Sequence, residues 1–134
     1  MNRVVHFEIQ AENPERAMKF YKDVFGWSFE QWGEQKYWMV MTAEKDSKEP
    51  GINGGMLPRP ANPGAGGAPK ECGANAYVCT VQVEHFDETA KKIEGAGGVV
   101  ASPKFALPAM AWQGYFLDTE GNTFGVHQPD ANAQ

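Results

Sequence analysis

His6 and Glu8 stand two residues apart in Val4-Val5-His6-Phe7-Glu8-Ile9, a run of β-branched and aromatic types that suits a strand. Successive strand side chains point to opposite faces, so His6 and Glu8 share one. A carboxylate beside an imidazole raises its proton affinity and makes an acid/base pair that can work near neutral pH. His6 and Glu8 are therefore the catalytic candidates, and His6 is equally a polar contact for a bound ligand. The competing reading makes His6 a partly buried histidine bonded to a backbone carbonyl. It makes Glu8 an edge carboxylate satisfied by a lysine or arginine. His127 ends Thr123-Phe124-Gly125-Val126-His127, shares a face with Gly125, and is a ligand-binding candidate. His85 opens a helix in a charged segment and reads as solvated surface. Together His6, Glu8 and His127 would form a two-histidine, one-carboxylate set of the kind non-haem iron and some zinc sites use. Residues i and i+2 of one strand lie roughly 6.5–7 Å apart, which strains a shared metal. Trp38 and Trp112 are the candidate walls for stacking a ligand, whereas Tyr37 reads as core. The chain has no nucleophile elbow, no P-loop and no dinucleotide-binding glycine motif.

The elements that must position these residues come twice. After the first strand, Asn13 is suited to cap a helix and Pro14 to occupy its first turn. Ala17, Phe20, Tyr21, Val24 and Phe25 recur at helical spacing, and Gly26 stops the helix. Residues 28–32, 36–42 and 52–57 read as strands, the last weakened by Gly54 and Gly55. Residues 58–73 are rich in proline and glycine and read as a connector, with a flap over a site as the alternative. A second strand–helix–strand–strand–strand series follows: a strand over 76–83, a helix over 86–94, and strands over 99–101, 112–117 and 123–127. The order of elements repeats although the sequence hardly does. The expected fold is thus α+β, a single domain over 1–134. It comprises module one at 3–57, the connector at 58–73 and module two at 74–129.

Bulk properties exclude several classes. Twelve basic and seventeen acidic residues leave a net charge of -5, against a nucleic-acid surface. No apolar run approaches the ~20 residues that span a bilayer, and the first residues lead directly into a strand without a signal-peptide core. Cys72 and Cys79 form no metal-binding spacing, and Cys79 reads as a buried free thiol. The expectation is a reduced, cytoplasmic protein with neither a membrane nor a nucleic-acid partner.

His6, Pro14-Glu15-Arg16-Ala17, Phe20-Tyr21, Phe25-Gly26-Trp27 and Asp118-Thr119-Glu120-Gly121-Asn122-Thr123-Phe124 together resemble the vicinal-oxygen-chelate superfamily of glyoxalases, bleomycin-resistance proteins and extradiol dioxygenases. The resemblance covers nearly the whole chain. It implies two β-α-β-β-β modules forming a cupped mixed sheet with helices on the outer face, a ligand in the cup, and a homodimer. Metal-dependent members carry ligands at four equivalent positions, which fall here on His6, Gly54, Val78 and Gly125. Valine and glycine side chains have no lone pair, so the standard metal site is not expected and no cofactor is called for. The two glycines would leave room for an organic ligand instead. The implied function is binding of a small organic ligand, with His6, Trp38, Trp112 and His127 as contacts. The alternative is a metal-dependent glyoxalase-like lyase, isomerase or dioxygenase that uses a divalent metal at the shifted His6/Glu8/His127 set.

Overall fold

The computed structural model describes residues 6–59 and 78–134. They form two compact units, one on each side of residues 60–77. Each unit has a four-stranded mixed sheet and one helix, the α+β class expected.

Module one contains β1 (Phe7–Ala11), α1 (Pro14–Phe25), β2 (Ser28–Gln31), β3 (Trp38–Met41) and β4 (Gly54–Pro58). Its strand order is β1-β4-β3-β2, with β1 and β4 parallel and the other neighbours antiparallel. The Asn13 side chain accepts from the Arg16 N–H, so the cap satisfies one of the orphan donors at the helix start. Gly26 ends α1 at φ 72°, a left-handed conformation that a side chain would strain. The expected apolar stripe buries Ala17, Phe20, Tyr21 and Val24. Beyond the helix, Trp27 lies flat on Tyr21, with ring centroids 5.0 Å apart, and contacts Phe7 of β1. The helix packs on β4 and on the sheet face that carries Phe7, Val40 and Met56. β4 runs through Pro58, and the Arg59 N–H still bonds the Ala11 carbonyl. The rest of the expected connector, 60–73, lies outside the described residues.

Module two contains β5 (Thr80–Gln82), α2 (Phe86–Gly95), β6 (Val99–Leu107), β7 (Ala111–Leu117) and β8 (Thr123–Pro129), in the order β5-β8-β7-β6. Phe86 lies tilted against Phe116, which stacks on Phe124, and these three rings with Ile93 and Val126 form the core. His85 is an exposed helix cap that makes no capping bond; the Gln128 side chain, on β8, accepts from the Phe86 N–H instead. β6 is an edge strand far longer than the 99–101 expected. Its pairing with β7 shifts register on both sides of Ser102, next to Pro103, and an edge bulge is where a strand tolerates proline. Cys79 is exposed rather than buried, because it precedes β5 at the sheet edge.

Candidate functional site

The two faces of the first sheet differ sharply. Pairing and alternation put Phe7, Ile9, Trp38, Val40, Gly54 and Met56 on the helix side. The same register puts Glu8, Gly55, Met39 and Glu30 in one cross-strand row on the opposite, open face. His6 and Tyr37 immediately precede the strands of this face.

A three-membered chain of polar groups forms there. The Tyr37 hydroxyl lies 2.8 Å from His6 Nε2 and within hydrogen-bonding reach of the Glu8 carboxylate. Burial raises the Tyr37 pKa above its usual value, and the Glu8 carboxylate raises it further by accepting the phenolic proton and by its charge. A phenol has one proton. Given to Glu8, it leaves the Tyr37 oxygen to accept from His6 Nε2–H, so in neutral His6 the lone pair falls on Nδ1. His6 and Glu8 thus share a face as expected, but the phenol links them. Tyr37, expected in the core, is a site residue.

Gly55 makes this possible. A Cβ on Gly55 would run into the Tyr37 hydroxyl and ring. Two consecutive glycines in an otherwise apolar strand are the sequence signal for such an approach. Tyr37 also borders an open concavity of about 590 Å³, whose lining includes His6, Glu30, Trp32 and Met39. Trp32 is 66% exposed and stands edge-on to Tyr37, with centroids 5.9 Å apart.

Module two has a parallel arrangement on the face of its sheet away from α2. Gln113, buried on β7, lies with Oε1 2.8 Å from His127 Nδ1 on β8. The amide oxygen accepts, so Nδ1 carries the proton and the lone pair of neutral His127 falls on Nε2. A Cβ on Gly125 would meet Thr80 Oγ1 at 2.5 Å and Gln113 Nε2 at 2.9 Å.

Several expectations about the site change here. Trp38 is not on the face of His6 and Glu8; it shares the helix side with the fully buried Val40 and Met56. Trp112 pairs with Gln128 on the α2 side of its sheet, opposite His127. Its indole N–H donates to Asp130 at 2.9 Å, and Lys104 Nζ stands 4.6 Å over the ring while bridging to Asp87. The Asp130 carboxyl is held below the usual range by the Asn132 backbone N–H and then by this indole bond. Neither tryptophan is therefore a wall of the faces that carry His6 and His127. The counterpart of Gly125 is also Gly55 rather than Gly54. The offset that relates the helix caps Asn13 and His85 also relates Glu8 to Thr80, and these pair with Gly55 and Gly125 respectively. Gly54 lies on the helix face, where a Cβ would strike the Phe7 carbonyl and ring. The space beside these glycines is filled by neighbouring side chains, so it is not the ligand pocket expected.

The donor chemistry at the family's metal positions does not fit a metal. His6 offers an imidazole, but Val78 and the glycines at 55 and 125 offer no ligating side chain. Among the described residues no three His, Cys, Asp or Glu side chains come together.

A sequence model of the Glyoxalase/Bleomycin resistance protein/Dioxygenase superfamily matches residues 3–126. The chain belongs to this superfamily. Comparison with curated proteins finds no match. Among solved structures, the superfamily scaffold recurs in a mutant of the fosfomycin resistance protein FosX from Listeria monocytogenes, complexed with Mn(II) and 1S,2S-dihydroxypropylphosphonic acid. That protein is 16% identical, with TM-score 0.69, covering 97% of this chain and 92% of FosX. A glyoxalase-related enzyme from Fulvimarina pelagi is 16% identical with TM-score 0.64, covering 100% of this chain and 96% of its own. A glyoxalase/bleomycin resistance protein/dioxygenase family enzyme from Burkholderia phytofirmans is 13% identical with TM-score 0.67, covering 93% and 97%. These superfamily relatives are similar in fold.

Proposed function

We propose that this superfamily member binds a small organic ligand on the open face of module one, through its own side chains rather than a resident divalent metal. The observation that carries the proposal is the convergence of His6, Tyr37 and Glu8 at the edge of a concavity with an exposed indole. Ligand sites combine an apolar or aromatic wall with a few oriented polar groups, and this face has both. His127, held by Gln113, is a second ligand contact on its own module. The protein is expected to act in the cytoplasm as a homodimer, without nucleic-acid or membrane partners. No helix among the described residues is long and apolar enough to cross a membrane.

The carboxylate–phenol–imidazole chain favours a second reading, acid/base catalysis. A proton taken up at His6 Nδ1 would make an imidazolium whose Nε2–H faces a phenol oxygen polarised by Glu8. FosX holds Mn(II), so a metal-dependent lyase or dioxygenase remains the alternative in the enzyme class. A thermal-shift screen of metals and metabolites on protein purified without chelators separates these readings. Stabilisation by an organic compound, lost in His6→Ala and Tyr37→Phe, supports ligand binding. About one divalent metal per chain, lost in His6→Ala, would replace that reading with the metalloenzyme.

A further inference from the structure

The geometry points to an organic cation with an aromatic or apolar body as the class of ligand taken by the concavity beside Tyr37; this rests on the ligand-binding reading above. Among the described residues its lining has one carboxylate, Glu30, and no lysine or arginine. Glu30 and Glu8 stand at the two ends of the row Glu8-Gly55-Met39-Glu30, four adjacent strands across, which puts roughly 14 Å between them. A ligand above the middle of the row therefore has an acidic group on either side.

Three of the side-chain donors that would welcome an anion are already committed. The Tyr37 proton goes to Glu8, His6 Nε2–H goes to Tyr37, and the Gln31 side-chain amide donates to the Gln35 carbonyl at 2.8 Å. Acceptors remain: the Glu30 carboxylate and His6 Nδ1. The exposed Trp32 indole and the Met39 thioether complete a surface suited to a soft, weakly hydrated cation. An indole is the best aromatic partner for such a charge.

Matched probes of opposite charge test the inference: benzyltrimethylammonium and benzylphosphonate, titrated into the 15N-labelled full chain. The ammonium probe is expected to shift the Trp32 indole N–H and the amides of residues 30–39. Binding should weaken by about two- to fivefold in Glu30→Gln and in Trp32→Ala, the scale of exposed charge and cation–π contacts. Both side chains are exposed, so well-dispersed spectra of the variants verify that the fold is kept. Shifts of the same resonances by benzylphosphonate, or ammonium binding undiminished in Glu30→Gln, would overturn the cation inference while leaving a ligand site at this face. Failure of both probes to shift these resonances would overturn the cation inference and count against the site itself.

Discussion

A phenol held between an imidazole and a carboxylate has one proton and two neighbours that compete for it. In Tyr37 the proton stays, because burial and Glu8 both favour the neutral form. The unfolded chain releases that proton near pH 10, the native chain only above it. Tyr37 thus contributes stability that is fully present below about pH 10 and is lost as pH rises through the native value. Melting curves from pH 9 to 11 should fall more steeply for the wild type than for Tyr37→Phe. At neutral pH the variant should be less stable by about 0.5–1.5 kcal/mol, the usual worth of a hydrogen bond. Gly55→Ala should cost more, about 1–3 kcal/mol, since the added methyl group displaces the Tyr37 ring and overpacks the sheet. Urea denaturation of both variants checks the order. Tyr37 eluded sequence reasoning because nothing local distinguishes it from Trp38. One of any two adjacent strand residues faces each side, and only the register across β3 and β4 decides which.

The elements themselves were largely written in the chain. Asn13, Pro14 and Gly26 bound α1 as their types demand, and the turn before β8 follows from Asp118. Its buried carboxylate accepts from the backbone N–H groups of Glu120 and Asn122, at 2.8 and 2.9 Å. Asp118→Ala leaves both donors without that acceptor and should cost about 2–4 kcal/mol, whereas Asn13→Ala at the exposed cap should cost about 1 kcal/mol. Thermal unfolding of the two variants would show whether this ranking holds. Pairings between strands were less legible, because register joins residues far apart in sequence. β6 runs through Pro103 to Leu107, well past the 99–101 expected, because a bulge beside a proline has no local sequence mark. Trp38 and Trp112, expected as walls from their related places in the repeat, lie on the helix sides of their sheets, since element order does not tell which face a strand residue takes.

For the molecule as a whole, two solution measurements bear on the proposed assembly and chemistry. Light scattering at micromolar concentration is expected to give twice the 14.7 kDa chain mass; a single-chain mass would refute the homodimer. Elemental analysis should find no stoichiometric divalent metal, and Zn²⁺ or Ni²⁺ should confer no turnover of the methylglyoxal–glutathione adduct. The close approach of Tyr37 to Gly55 also bears on how the chain can be re-engineered. A glutamate introduced at position 55, to supply a metal-binding side chain, meets the phenol before it can meet any ion. Mutational paths to such a site are therefore ordered: position 37 must shrink first. Gly55→Glu alone should fold poorly, and the same change in a Tyr37→Ala background should be tolerated far better than the sum of the two effects allows. The aromatic ring works as a latch on the sequence: while it stays in place, position 55 is closed to any side chain.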